Sequence, residues 1–127
     1  MALLLDTQVI IWLESDSNKL SEEVKKLLSK ESLVYFSHVS IWEMAIKIKT
    51  GKLSLDQNLE TFIYDFQKDY QFIPLAITLK HIYKTQELEF HHKDPFDRLL
   101  IAQSIFEGFT IVSSDSIFDK YLIERVW

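Results

Sequence analysis

Cysteine is absent from the 127 residues, so disulfides and thiolate metal sites are excluded. Glycine and proline occur only twice each, and no internal repeat is visible. No linker or low-complexity tract therefore divides the chain, and one domain spanning residues 1–127 is expected. No apolar run approaches the ~20 residues that a membrane span needs. Asp6 comes too early for a signal peptide. These absences suit a reducing, cytoplasmic setting. Positive charge is also scarce: 14 Lys and Arg against 19 Asp and Glu leave a net charge of -5. A protein that holds nucleic acid by charge alone is usually basic. This chain would need another way to approach phosphates, and bound divalent cations are one such way. What is present, 47% hydrophobic and 26% charged residues, is ordinary for a globule with a real core.

The most informative stretch runs from His91 to Gln103, His-His-Lys-Asp-Pro-Phe-Asp-Arg-Leu-Leu-Ile-Ala-Gln. Asp94 before Pro95 reads as a helix cap followed by the first helical residue. Asp97 falls in the first turn, where the helix dipole favours a carboxylate, and Gly108 ends the helix. Upstream, Leu3-Leu4-Leu5 is an unbroken apolar run, as in a strand covered on both faces, and Asp6 lies at its carboxyl end. A helix starting near Val9 follows. Ser21 caps an amphipathic helix with Glu22 and Glu23 in its first turn. Leu33 to Ser37 reads as a second strand, and Ser40-Ile41-Trp42-Glu43 fits a capping box. Asn58 to Phe66 has helical spacing. Phe72 to Leu75 is a third strand, with Pro74 arguing for a sheet edge, and Thr78 caps a short helix. Gln86 to Lys93 is a polar loop, Phe109 to Val112 a fourth strand and Ser116 to Tyr121 a short helix. Arg125 to Trp127 could add a last strand.

Strands alternating with helices imply a parallel α/β sheet with right-handed crossovers. Sites in such sheets lie beyond the carboxyl ends of the strands. Asp6 and Asp115 sit at such ends, and Glu43 and Asp97 are expected in first helical turns on the same side. Four acids in one crevice repel one another, and something positive should offset that cost. Without cysteine, the partner that suits them is a hard cation, Mg²⁺ or Mn²⁺. Such an ion activates water and binds phosphate oxygens, which serves phosphodiester cleavage.

Leu4-Leu5-Asp6-Thr7, Ser40-Ile41-Trp42-Glu43, the run from Asp94 to Gln103 and Ser113-Ser114-Asp115 together resemble the PIN-domain ribonucleases. Within that family the resemblance is to the VapC-like toxins of type II toxin–antitoxin systems. It covers nearly the whole chain, in the family's order. It implies a PIN-like three-layer α/β/α fold with a five-stranded parallel sheet, and Mg²⁺- or Mn²⁺-dependent endoribonuclease activity. It implies Asp6, Glu43, Asp97 and Asp115 as the acidic cluster that binds metal and carries catalysis. It also implies an antitoxin whose tail lies over the site, and usually a homodimer. Ser113 stands where the family often has Thr, and Glu89-Phe90 replaces a commonly Pro-rich approach to His92.

Around the cluster, Thr7 and Ser113 are read either as hydroxyls that hydrogen-bond the ligating carboxylates or as plain turn residues, and Asp94 is read first as a cap. Arg98 is read as a phosphate contact or a surface ion pair. Lys47, with Lys49 and Lys52, either compensates a helix dipole or meets substrate phosphates. His91 and His92 are read as solvated loop residues, and Asp16 and Asp119 as exposed. Two other functions are weighed against an RNA-cleaving toxin. A PIN-like binding module would use these acids only as caps. A phosphotransfer enzyme of receiver or aspartate-phosphatase type is disfavoured, because no Asp-x-Asp follows the first strand and no lysine follows the last clear one.

Overall fold

Leu3, Leu4 and Leu5 are each wholly buried, as a strand covered on both faces must be. In the computed structural model, which describes residues 1–31 and 33–127, this strand is the centre of the sheet. β1 (Leu3–Leu5), β2 (Val34–Ser37), β3 (Ile73–Leu75), β4 (Thr110–Val112) and β5 (Arg125–Val126) are all parallel, in the order β3-β2-β1-β4-β5. β3 is an edge strand, where the missing N–H of Pro74 costs no central ladder bond.

Helices α1 (Thr7–Ser15), α2 (Glu22–Lys30), α3 (His38–Lys49), α4 (Leu59–Tyr70), α5 (Leu79–Thr85) and α6 (Pro95–Glu107) cover the two faces, with short 3₁₀ turns at Ser17–Lys19 and Ser116–Lys120. Side-chain alternation splits the sheet residues between two cores. Leu3, Leu5, Val34, Phe36 and Val112 pack with Val9, Ile10, Val24, Phe62 and Phe66. Leu4 and Ile111 pack on the opposite face with Leu100, Ile101 and Phe118. The result is the expected three-layer α/β/α sandwich. Helix α3 gives Met44 to the first core and Val39 to the second.

The expected caps at Ser21, Thr78 and Asp94 each accept a backbone N–H at the start of their helix, as does Asn58 at the start of α4, and Gly108 ends α6 with φ 75°. The capping box at Ser40 is not formed. Helix α3 begins at His38, directly after β2, and its cap is Ser37, whose Oγ accepts from the Val39 amide at 3.0 Å. No loop separates strand from helix here, so the helix starts earlier than the capping pattern suggested. Glu43 lies in the second turn, not the first.

Register aligns the strands so that Leu5 pairs with Phe36 on one side and Val112 on the other. Asp6, Ser37 and Ser113 therefore leave the sheet at one level. The start of α3 follows Ser37 on that same side.

Candidate metal centre

Asp6 closes β1 and caps α1. Its Oδ1 accepts the Thr7 amide at 2.7 Å and its Oδ2 accepts the Ser113 hydroxyl at 2.7 Å. Ser113 Oγ in turn accepts the Asp115 amide at 3.0 Å. One buried hydroxyl thus ties the chain after β4 to the chain after β1. Thr7 does the same for α3: its hydroxyl donates to Glu43 Oε1 at 2.6 Å, with Ser40 Oγ 2.9 Å from Thr7 Oγ1. The other Glu43 oxygen pairs with Lys47 Nζ at 2.7 Å, one helical turn on. Asp115 Oδ1 accepts the Ile117 amide at 3.0 Å, and Oδ2 lies 3.0 Å from His92 Nε2. Asp94 holds the start of α6, accepting from the amides of Phe96 and Asp97 at 2.7 and 3.3 Å. His92, Asp97 and Asp115 each offer a ligand atom, and these atoms all lie within 4.8 Å of one another.

The electrostatics separate these acids. Burial pushes the Asp97 carboxyl up to about 7, helped by the charges of Asp6, Asp94, Glu43 and Asp115. No hydrogen bond to its carboxylate from the described residues opposes that rise. Burial also raises Asp6, against the Ser113 and Thr7 hydrogen bonds, which favour its charged form. Asp115 is pushed up by burial, but the His92 ring, the Ile117 amide and the Arg125 charge together hold it below the usual value. Lys47 is raised chiefly by its hydrogen bond to Glu43. The field of the site is negative, and Asp97 is a carboxylate without a hydrogen-bond donor among the described residues.

The structure therefore gathers all four expected acids at one edge, although not equally. Asp97 and Asp115 form the tight group with His92, while Asp6 and Glu43 are joined to it through Ser113 and Thr7 and by their charges. Two expectations are corrected. Arg98 is neither a phosphate contact nor a surface ion pair. It is buried, its guanidinium donates to the carbonyls of Thr85, Leu88, Glu89 and His92 at 2.9–3.4 Å, and Phe90 covers it at 4.1 Å. Five guanidinium donors suit several carbonyls gathered at the end of α5 and in the loop after it, and Arg98 pins the segment before α6. His92 is not solvated: it is buried against Phe118 and Tyr121 and reaches the site. Its neighbour His91 points away, toward Glu89 at 2.9 Å. Asp119 is exposed, as expected, and pairs with Arg125 at 2.9 Å.

A family model for the PIN domain matches residues 3–122. Comparison with curated proteins finds no match. Among solved structures, VapBC2 from Rickettsia felis bound to a DNA fragment from their promoter superposes with TM-score 0.76 at 15% identity, covering 99% of this chain and 98% of that one. DNA-bound VapBC from Salmonella typhimurium gives 0.72 at 14%, covering 99% and 97%. FitAcB from Neisseria gonorrhoeae gives 0.64 at 16%, covering 98% and 96%.

Proposed function

The chain belongs to the PIN domain family, and from that premise we propose that it is a metal-dependent endoribonuclease, the toxin of a type II toxin–antitoxin pair. The observation that carries this reading is Asp97. It is a half-buried carboxylate whose ligand atom lies within 4.8 Å of those of Asp115 and His92, with no hydrogen-bond donor of its own among the described residues. Such a group is tolerated when a cation meets it.

The donor set fits Mg²⁺ or Mn²⁺. It consists of carboxylate oxygens from separate segments, with no thiolate in the chain. Asp97 and Asp115 would hold the ion, with Asp6 and Glu43 completing the acidic cluster directly or through water. When bound, the ion supplies a Lewis acid that activates water and offsets charge on a phosphate oxygen. Thr7 and Ser113 keep Glu43 and Asp6 in fixed orientations, as hydroxyls behind metal ligands do. Glu43 orients the attacking water and takes its proton. The water oxygen bonds to phosphorus as the P–O3′ bond breaks, and the departing 3′ oxygen takes a proton from solvent. The products are a 3′-hydroxyl and a 5′-phosphate. Lys47, partly exposed beside Glu43, can turn to a substrate phosphate. The substrate is RNA, which a chain of net charge -5 approaches through its bound cation. The partners are a cognate antitoxin and a second copy of the chain. The setting is cytoplasmic; no helix among the described residues is long and apolar enough to cross a membrane.

One observation favours a second reading, a partner-binding module without catalysis. Both oxygens of Glu43 are already occupied, by Thr7 and Lys47. Cleavage assays on a panel of transfer and ribosomal RNAs in Mn²⁺ separate the two. Wild type is expected to cut and Asp97→Asn to be inactive while still folded. A folded wild type that leaves every RNA intact favours the module. Products ending in a 2′,3′-cyclic phosphate contradict water as the nucleophile.

A further inference from the structure

Tyr121 lies between the last 3₁₀ turn and β5, and it is buried. Its Oη accepts two backbone N–H bonds, from His91 at 3.1 Å and His92 at 2.8 Å. Both lone pairs of the phenolic oxygen are then used. Its own O–H still needs an acceptor, and His92 Nδ1 stands 3.3 Å away. Nδ1 cannot donate to an oxygen with no lone pair left, so it accepts. A neutral imidazole that accepts at Nδ1 carries its hydrogen on Nε2. That nitrogen lies 3.0 Å from Asp115 Oδ2, so it donates to the carboxylate. Stacking holds the ring in place, with Tyr121 on one side at 5.6 Å and 18° and Phe118 near by at 4.8 Å.

We propose that Tyr121 is a positioning residue. Through His92 it fixes the Asp115 carboxylate toward the cation shared with Asp97. This rests on the nuclease reading above and refines it. His92 is close enough to Asp97 and Asp115 to count as a third ligand, but a ring nitrogen that carries hydrogen has no lone pair for a metal. His92 is the donor that orients a ligand. Asp115 is then held at three points: its amide on Ser113, Oδ1 on the Ile117 amide and Oδ2 on His92. Each oxygen retains a lone pair for an ion. The chain Tyr121–His92–Asp115 brings together the polar loop before α6 and the turn after β4, two segments 23 residues apart at the His92–Asp115 contact.

Two measurements on the intact protein test this. The first is ¹⁵N NMR of the histidine ring nitrogens in metal-free protein. His92 is expected to show hydrogen on Nε2, and Tyr121→Phe to lose that single tautomer. The second is calorimetric titration with Mn²⁺. Tyr121→Phe is expected to bind about 10–100-fold more weakly than wild type, the range for groups that support a ligand. His92→Gln, which keeps a side-chain N–H donor, should bind more tightly than His92→Phe, and this pair decides the matter should Tyr121→Phe fail to fold. A wild-type His92 with hydrogen on Nδ1 overturns the proposal, as does equal Mn²⁺ affinity in wild type and folded Tyr121→Phe. A wild type that binds no Mn²⁺ overturns the nuclease reading and the metal-orienting role together, and the tautomer still decides whether the hydrogen-bond chain exists.

Discussion

Among the described residues, two acidic clusters each hold a carboxyl raised by burial and neighbouring acids, and they differ in construction. At the carboxyl edge of the sheet, Asp97 is pushed up to about 7 by burial and then by four neighbouring carboxylates. Between α1 and α4, Glu14 is also pushed up to about 7, by burial, by a hydrogen bond with Asp69 and by the charges of Asp69 and Asp65. Asp69 beside Glu14 favours its protonated form through a hydrogen bond and through its charge, and that needs only two acids side by side. Asp97 has no such hydrogen-bonding partner among the described residues. Its neighbours come from the ends of β1 and β4, from α3 and from the cap of α6, and Asp115 already has His92, the Ile117 amide and Arg125 to favour its charged form. A raised carboxyl alone therefore does not mark a site. What marks one is a raised carboxyl whose neighbours are held in place by other donors, so that a cation is the remaining solution.

The contrast can be broken most severely by Asp97→Asn. RNA cleavage in Mn²⁺ is expected to fall more than ~100-fold, since even residues behind a ligand cost ~10–100-fold, whereas Asp69→Asn should leave it within a factor of about two. Thermal melts sharpen the same contrast. At 100 times its dissociation constant, Mn²⁺ should stabilise wild type by about 2.7 kcal/mol, a rise of several degrees for a domain of this size. The rise should persist in Asp69→Asn and vanish in Asp97→Asn.

The pH dependence of the metal-free protein follows from the raised carboxyls. Below about pH 4 the folded and unfolded chains both hold these protons, and the groups contribute nothing. Between the ordinary values, 3.8 for Asp97 and 4.5 for Glu14, and about 7, the unfolded chain has released protons that the folded chain keeps. Stability should therefore fall as pH rises through that window. Melting temperatures at pH 5 and pH 8 check this. Asp97→Asn and Glu14→Gln should each flatten the slope, and saturating Mn²⁺ should flatten only the part owed to Asp97. The smallest effect concerns Lys47, which pairs with Glu43 at 2.7 Å. Lys47→Gln should tighten Mn²⁺ binding several-fold by removing a competing charge (about 1 kcal/mol corresponds to a factor of 5). Lys49→Gln, with the same charge change away from the cluster, should change it less.

Much of this was legible in the residues. The buried run Leu3-Leu4-Leu5, the edge signal of Pro74 and the Asp94-Pro95 helix start are local patterns with one good structural solution, and they gave the sheet and the order of its helices. The convergence of Asp6, Glu43, Asp97 and Asp115 on one edge followed from the handedness and direction of parallel strands. What was not legible depended on side chains meeting across the fold. Ser40 and Glu43 have the spacing of a capping box, but strand β2 runs straight into α3 and Ser37 takes the cap. Arg98 follows Asp97 in an exposed-looking turn, yet the segment from Thr85 to His92 folds back over it and turns four carbonyls to its guanidinium. His92 enters the site because Tyr121, 29 residues later, takes up its amide and its ring. No local pattern encodes that meeting.

If carboxylates from separate segments hold one divalent cation, electron paramagnetic resonance of added Mn²⁺ reads that binding. Added to wild type or to Asp69→Asn, Mn²⁺ should lose its free aqueous signal, while Asp97→Asn should leave that signal in place. A wild-type protein that leaves the free signal undiminished, or an Asp97→Asn protein that depletes it equally, would rule out a cation held by Asp97.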